Sequence, residues 1–150
     1  MRFIVIDGLD ASGKDTHASI IREKYEKRGE RVVVRSHPSG DNWFGRRAKA
    51  ALLAGGRSNR IKASLFYALD VIRSLLKYYN RKCDTLIMVR YLMGTAYLPS
   101  PLDLLAYKFF KTLLPTSRLM FFLDVSPEEC LRRIKTRQIR EMFETYEEIV

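Results

Sequence analysis

Residues 3–20 read FIVIDGLDASGKDTHASI, and this stretch decides the fold. Four apolar residues lead into Asp7, and the spacing G-x-x-x-x-G-K then runs from Gly8 to Lys14. Glycines in such a loop let successive backbone N–H groups point at phosphate oxygens, while the lysine and the following helix add positive charge. An apolar strand pattern before the motif and a helical pattern after it favour a nucleotide phosphate site over a glycine-rich turn that binds nothing.

The residue after Lys14 departs from the motif, which has Ser or Thr there as a ligand of Mg²⁺. This chain has Asp15, whose carboxylate would face phosphate oxygens at short range and repel them in a dry site. A carboxylate is also a good hard ligand, so we predict Asp15 as a Mg²⁺ ligand, directly or through water. The alternative is that Asp15 turns outward and interacts with the positive N-terminus of the helix. The sequence leaves both open.

Length and composition favour one globular domain over residues 1–150, without linkers or internal repeats. The net charge of +10 is compatible with nucleic acid, but the basic residues are scattered, and a ligand with several phosphates explains the charge equally well. We therefore expect no nucleic-acid partner. No apolar run is long enough to span a membrane and the start lacks a signal-peptide pattern, so we expect a cytoplasmic location. Cys83 and Cys130 have no metal-ligand spacing and are predicted to be ordinary thiols.

Strand and helix patterns alternate along the chain. Short apolar runs predict buried strands at 2–7, 31–36, 84–91 and 118–124. Helical spacing predicts helices from Asp15 to a C-cap at Gly29 and over 43–54, 60–79, 102–114, from Pro127 onward, and over 140–150. Apolar strands that alternate with helices predict an α/β fold, with a parallel sheet of four readable strands covered by helices on both faces.

Three stretches, in order, resemble the thymidylate kinases, the P-loop family that transfers the γ-phosphoryl group of ATP to thymidine monophosphate. They are IDGLDASGK (6–14), VRYLMGTAY (89–97) and FLDVSPEECLRRIKTR (122–137). The last is similar to the family pattern L-D-V-x-P-E-x-x-L-x-R-I-x-x-R, which leads into a mobile lid over ATP. The resemblance implies a three-layer P-loop kinase fold, with a short lid around 133–142. The family usually has a fifth strand and a helix after this point, and these are missing from the 150 residues.

The resemblance also implies the function. We expect ATP-dependent phosphorylation of a deoxynucleoside monophosphate, first of all dTMP to dTDP, with Mg²⁺ as cofactor and a homodimer as the assembly. The ATP-binding residues would be those of the loop and the helix start, with Lys14 on the ATP phosphates and Thr16 on the α-phosphate: Gly8, Asp10, Ala11, Ser12, Gly13, Lys14, Asp15 and Thr16.

The resemblance places the acceptor monophosphate among residues from several elements. Asp10 would contact its sugar, and Arg90 matches the arginine of the family's D-R-Y, which grips phosphate between donor and acceptor. Lys49 replaces an arginine beside the acceptor phosphate. Phe66 would stack on the base and Tyr97 would crowd the 2′ position, which favours deoxyribose. Helical periodicity alone would also allow both rings to be core aromatics.

Members of the family place an additional catalytic arginine either in the phosphate loop or in the lid. The resemblance implies one in the lid here, because the variable positions of the loop, 9–12, contain no cation. Charge spreads over the migrating phosphoryl oxygens during transfer, and an arginine there accelerates the reaction strongly. Arg137 and Arg140 are the candidates, with Arg133 behind them; together with Lys14 and Arg90, the first two complete the predicted catalytic set. The alternative for this basic run is a solvated helix face.

Two further positions depart from the family pattern. The aspartate of D-R-Y is Val89, so Asp15 could replace a carboxylate lost at a neighbouring strand end. The base-reading arginine four residues after Phe66 is Asp70, and Arg73, one helical turn on, is the predicted substitute. Two other functions remain open from the sequence. One is a non-catalytic nucleotide-binding relative, favoured by Val89, Asp15 and the missing C-terminal strand and helix, and the other is a P-loop protein that acts on a nucleic-acid end, favoured only by the charge.

Overall fold

Four strands form one parallel sheet at the centre of the chain. They are β1 (Arg2–Gly8), β2 (Val32–Ser36), β3 (Thr85–Val89) and β4 (Leu119–Leu123), in the order β2-β3-β1-β4. The helices are α1 (Lys14–Glu26), α2 (Trp43–Ala54), α3 (Arg57–Tyr78), a short 3₁₀ helix (Met93–Tyr97), α4 (Leu102–Leu113) and α5 (Pro127–Ile134). This computed structural model describes residues 1–80 and 83–135. The α/β class and the parallel sheet are confirmed.

Every strand and helix predicted within the described residues is present, with small shifts at the ends. The predicted C-cap at Gly29 is wrong, because α1 ends at Glu26 and Lys27 caps it. Gly29 instead takes a φ of +80° in the turn that follows, where its N–H bonds to Glu26. The helix predicted over 140–150 and most of the lid predicted around 133–142 lie outside the described residues.

The core lies on both faces of β1 and β3, as strand alternation requires. One face packs against α3, where Phe3, Val5 and Met88 meet Tyr67 and Val71. The other packs against α1, where the buried cluster consists of Ile4, Ile6, Ala18, Ile87 and Val89. Each fully buried aliphatic side chain stabilises the fold by about 1.5–3 kcal/mol relative to exposure. The central strands are therefore rigid supports for the loops at their ends.

The sheet is flanked by helices as predicted, but the described helices do not cover β4. Leu119, Phe121 and Phe122 are exposed, and none of the residues of α4 is buried. The physical reason is position: β4 is an edge strand that pairs, among the described residues, with β1 alone. The described helices leave its side chains open to solvent. Within the same residues, no helix has both the length and the apolar character needed to cross a membrane.

The carboxyl ends of the four parallel strands lie side by side, and we call this side of the sheet the sheet edge. Parallel α/β folds bind ligands there. In the parallel register Val89 lies beside both Ile6 of β1 and Ser36 of β2. The loop after β1 returns at this edge into α1, and the loop after β2 leads along it into α2. The fold therefore brings the segments that follow three strands together.

Candidate active site

The loop between β1 and α1 depends on glycine at both of its ends. A Cβ on Gly8, whose φ is +150°, would lie 2.7 Å from the carbonyl oxygen of Leu123 and 2.9 Å from the Ser12 hydroxyl. Gly13, the N-cap of α1, has a φ of +93°, which side-chain-bearing residues rarely adopt. The glycines let the backbone turn tightly beside β4, so that the loop ends at the N-terminus of α1.

Lys14 is buried and lies against its own loop. Its ammonium donates to the carbonyl oxygen of Gly8 at 2.8 Å, to that of Leu9, and to the Ser12 hydroxyl at 3.4 Å. Burial, and to a lesser extent the nearby charge of Arg90, lower the pKa of Lys14 to about 8, although the nearby aspartates oppose the shift. The lysine is held where the loop encloses it, and a phosphate in the loop would favour its charged form.

A cavity of about 260 Å³ opens in front of this loop. It contains six of the predicted site residues and one residue from α5, and its lining is Ala11, Gly13, Lys14, Asp15, Thr16, Arg90 and Arg133. Arg133 donates to the carbonyl oxygen of Ala11 at 3.1 Å and pairs with Glu129 at 2.7 Å. Arg133 therefore reaches the loop itself. The predicted catalytic Arg137 and Arg140 lie outside the described residues.

Arg90 follows directly after β3 and is held by two carboxylates. Its Nε and Nη2 donate to Oδ1 of Asp10 at 3.3 and 3.1 Å, and its Nη1 lies 3.6 Å from Oδ2 of Asp15. Burial opposes the charge of the guanidinium, but Asp10 and Asp15 raise its pKa above the ordinary value. Its backbone has a φ of +57°, and its carbonyl oxygen accepts a hydrogen bond from the Tyr67 hydroxyl at 2.5 Å. Arg90 is thus a fixed cation at the sheet edge.

A second cavity of about 430 Å³ adjoins the first. Its lining combines the ends of β2 and β3 with the loop before α2 and includes the predicted Lys49: Asp15, Arg35, Ser36, Pro38, Ser39, Gly40, Asp41, Lys49 and Arg90. Asp15 and Arg90 line both cavities, so they form a shared wall between them. Arg35 reaches Asp41 with two hydrogen bonds of 2.8 and 3.0 Å, so its charge is already paired.

The Asp15 carboxylate extends across the sheet edge to β2. Its Oδ1 accepts a hydrogen bond from the Ser36 hydroxyl at 2.7 Å, and its Oδ2 faces Arg90. The side chain is 62% exposed, so solvent and ligands can reach it. This geometry places the carboxylate at the wall between the two cavities.

The residues predicted for the acceptor nucleoside line neither cavity. The ring of Phe66 stands edge-on to Trp43 at 5.3 Å, and Tyr97 lies 6.0 Å from the ring of Tyr67. Arg73 has its Nη1 3.9 Å from Asp41. Their assignment to the nucleoside stays a prediction. Tyr97 also packs against the buried cluster around Leu52, as the core-aromatic alternative required.

Asp70, which stands where the family has a base-reading arginine, is fully buried and binds the loop before α2. It accepts hydrogen bonds from the backbone N–H and hydroxyl of Ser39 at 2.6 and 2.7 Å, and from the side-chain amide of Asn42 at 2.7 Å. Asn42 in turn caps α2 by accepting from the N–H of Gly45. A Cβ on Gly45 would lie 1.9 Å from the Ser39 carbonyl oxygen, so only glycine allows this close approach.

Sequence reasoning missed Asp7, Arg35 and Ser36. Asp7 is buried and accepts from the backbone N–H groups of Tyr91 and Leu92 at 2.8 and 3.4 Å, which fixes the chain after Arg90. Burial raises its pKa, and these two hydrogen bonds oppose the rise. One signal could have found all three residues, since each lies at or near the carboxyl end of a parallel strand.

Comparison with known proteins identifies the relatives of this chain. The sequence model of the thymidylate kinase family matches residues 6–149. Probable thymidylate kinases of Pyrobaculum calidifontis and Thermococcus kodakarensis are 31% and 29% identical, over 97% and 95% of this chain and 75% of each relative. Solved thymidylate kinases of Candida albicans and Ehrlichia chaffeensis superimpose with TM-scores of 0.71 and 0.67 at 20% and 19% identity. They cover 97% and 89% of this chain and 72% and 82% of their own, and the likeness confirms the P-loop kinase fold.

Proposed function

The chain belongs to the thymidylate kinase family, a family of nucleoside monophosphate kinases, and from this premise we propose that it transfers the γ-phosphoryl group of ATP to a deoxynucleoside monophosphate. Thymidine monophosphate is the acceptor that the family and the names of the relatives favour.

One observation carries the proposal: two cavities with cationic linings share the wall formed by Asp15 and Arg90. In this assignment the donor phosphates lie in the first cavity, against Lys14, and the acceptor phosphate lies in the second, near Lys49. A guanidinium between them can neutralise charge on both as the phosphoryl group passes. Holding the two groups side by side also removes much of the entropic cost of their meeting.

The arginines near the donor cavity also have roles in the proposed reaction. Arg133 contributes positive charge at the mouth of the donor cavity, where it already contacts the loop. Arg137 and Arg140 remain the candidates for an arginine that closes over ATP, since a closing residue keeps water from the reacting phosphate. Asp7 holds the backbone after β3 and so keeps Arg90 directed at the shared wall.

The donor set fits a nucleotide-bound Mg²⁺. Among the described residues no three His, Cys, Asp or Glu side chains converge on one point, so the protein alone offers no complete cage. Mg²⁺ in kinases is usually held by one or two carboxylates together with substrate phosphates and water. Asp15, exposed at the shared wall, is the residue that would hold it. When bound, the ion neutralises charge on the β- and γ-phosphates.

The proposal is tested by a coupled assay of ADP release with ATP, Mg²⁺ and a panel of monophosphates: dTMP, dUMP, UMP, dCMP and dGMP. We expect ADP release with dTMP and slower release with UMP, because Tyr97 is assigned to the 2′ position. Equal rates for dTMP and UMP would refute the sugar argument. If the protein binds ATP but releases no ADP with any of these monophosphates, the non-catalytic alternative is favoured instead.

Replacement of Lys14 tests the donor cavity. Lys14→Ala should abolish transfer and weaken ATP binding, because the loop then lacks its ammonium for the phosphates. The fold should persist, as judged by circular dichroism, since within the described part of the chain the side chain bonds to its own loop. Lys108→Ala, which removes an exposed lysine of α4, is the matched control and should keep full activity. Near-normal turnover in Lys14→Ala would mean that this loop is not the phosphate site.

A further inference from the structure

A hydroxyl and a carboxylate meet at the wall between the two cavities. Ser36 is the last residue of β2, Asp15 is in the first turn of α1, and their oxygens lie 2.7 Å apart. Both residues line the second cavity, and Asp15 lines the first as well. Neither the phosphate-loop motif nor the family resemblance assigns a role to Ser36.

The motif has a hydroxyl after its lysine, and this chain has lost it. The hydroxyl of Ser36 occupies the neighbouring strand end and contacts the very side chain that replaced it. The adjacent residue in the register, Val89, is fully buried in the apolar cluster beneath α1, and its side chain has no oxygen. Ser36 is therefore a hydroxyl that contacts the altered position directly and also lines the second cavity.

We propose that Ser36 supplies the hydroxyl ligand that the loop lacks, so that Asp15 and Ser36 together hold the divalent cation of the nucleotide. The inference rests on the proposed function, which brings the nucleotide to this wall. Octahedral Mg²⁺ has bonds of about 2.0–2.1 Å, so neighbouring ligand oxygens lie about 3 Å apart. The two oxygens are already close to that separation. Both are hard donors of the type that Mg²⁺ prefers.

Cations near the pair do not prevent this role. Arg90 is the nearest, with Nη1 3.6 Å from Asp15, but it has a closer partner in Asp10 at 3.1 Å. Arg90 therefore keeps the Asp10 carboxylate as its partner when Asp15 binds a metal ion. Arg35 is paired with Asp41, and Lys49 is exposed and can follow the acceptor phosphate.

The first measurement is the affinity of Mn²⁺, which has similar ligand preferences and an electron paramagnetic resonance signal, for the enzyme–ADP complex. Ser36→Ala should weaken Mn²⁺ binding about tenfold or more, the usual result of losing a metal-site group. Ser36→Thr keeps the hydroxyl and should restore it. Ser58→Ala, at an exposed serine of α3, is the control and should match the parent. ADP binding in EDTA should be the same in all four proteins.

The second measurement separates a ligand from a residue that only orients Asp15. Ser36→Cys places a soft thiolate donor at the position, so the ADP complex should lose Mn²⁺ affinity and gain Cd²⁺ affinity relative to Ser58→Cys. In an Asp15→Ser background, which restores the ordinary motif, Ser36→Ala should have little effect on Mn²⁺ affinity.

Each outcome decides the question. Unchanged Mn²⁺ affinity in Ser36→Ala overturns the inference and leaves the proposed function standing, provided that the parent binds ADP and Mn²⁺. A weakened Mn²⁺ affinity without a gain for Cd²⁺ in Ser36→Cys assigns Ser36 a hydrogen-bonding role only and also overturns it. Failure of the parent to bind ADP, with or without Mn²⁺, overturns the proposed function and the inference together.

Discussion

Lys14 links burial to phosphate binding at the scale of one residue. In the free protein its pKa is lowered to about 8 from 10.5, mainly because burial disfavours the ammonium ion. The unfolded chain therefore binds one more proton than the folded chain between these two values. Folding stability is accordingly lower below pH 8, where the buried amine is charged, and rises as the pH increases from about 8 to 10.5.

A pH dependence of nucleotide binding follows from this pKa. Phosphate favours charged Lys14, so ADP affinity should be constant below pH 8 and fall above it, by up to about tenfold per pH unit. Calorimetry from pH 7 to 9.5, in buffers of different ionisation enthalpy, should also show proton uptake on binding near pH 8.5. Lys14→Arg should remove the dependence because arginine stays charged. The same slope in that variant would show that another group titrates.

At the scale of elements, α3 supports the wall of the second cavity. Phe66, Asp70 and Ser74 lie on one face of the helix at intervals of four residues. Phe66 contacts Trp43, Asp70 holds Ser39 and Asn42, and Ser74 bonds to His37 and Arg35. We refer to residues 37–43 as the acceptor loop, because its cavity is assigned to the acceptor. Its whole length is anchored to this face of α3.

Loss of the Asp70 anchor should affect the acceptor and spare the donor. Asp70→Ala leaves the buried backbone N–H and hydroxyl of Ser39 without their acceptor, which costs about 1–3 kcal/mol for each group left unpaired. It also removes one acceptor of the Asn42 amide, which keeps its bonds to Ser39 and Asp41. We expect a higher KM for the monophosphate and an unchanged KM for ATP, because the acceptor loop lines only the second cavity. Asp70→Asn keeps an acceptor oxygen and should show a smaller change.

The control for this prediction is Asp84→Ala at the opposite edge of the sheet. Asp84 also accepts a backbone hydrogen bond, from Arg31 at 2.8 Å, so its loss should lower stability as well. Only the Asp70 variant should change the KM of the acceptor. If both variants raise that KM equally, the effect comes from general destabilisation and the anchoring role is refuted.

The bounds of the helices and strands were more predictable from the sequence than the contacts between distant residues. The predicted bounds of α2, 43–54, are confirmed, and in the structure its ends coincide with the capping Asn42 and the glycine pair after Ala54, which are local features of the sequence. The bonds of Asp70 join residues 28 and 31 positions apart, and that of Ser36 to Asp15 joins residues 21 apart. Local spacing carries no information on such contacts. Periodicity likewise cannot tell whether helices cover an apolar strand. The sequence of β4 has the pattern of a buried strand, but most of its side chains are exposed.

At the scale of the whole molecule, the described structure is unevenly covered. Its centre is closed around β1 and β3, whereas β4 and α4 expose a set of large apolar side chains, namely Leu102, Leu104, Leu105, Phe109, Leu113, Phe121 and Phe122. A group of exposed apolar side chains such as this one promotes association between protein chains. The homodimer implied by the family resemblance and the cytoplasmic location expected from the sequence stay predictions.

The uneven coverage predicts unequal costs of mutation. Phe121→Ser should change the free energy of unfolding by less than about 1 kcal/mol, since half of the side chain is already in water. Ile6→Ala, in the closed centre, should cost about 2–5 kcal/mol. Urea unfolding measures both. A Phe121→Ser variant as unstable as Ile6→Ala would mean that the Phe121 side chain of β4 is covered in solution.

Trp43 is the single tryptophan of the chain, and it stands half exposed where the acceptor loop meets α2, edge-on to Phe66. The ultraviolet emission of an indole shifts in colour with the amount of water around it. The tryptophan fluorescence of the unmodified protein therefore originates from one known point on the rim of the anchored loop. The molecule carries its own optical reporter, so the seating of the loop can be followed in real time without attaching a dye.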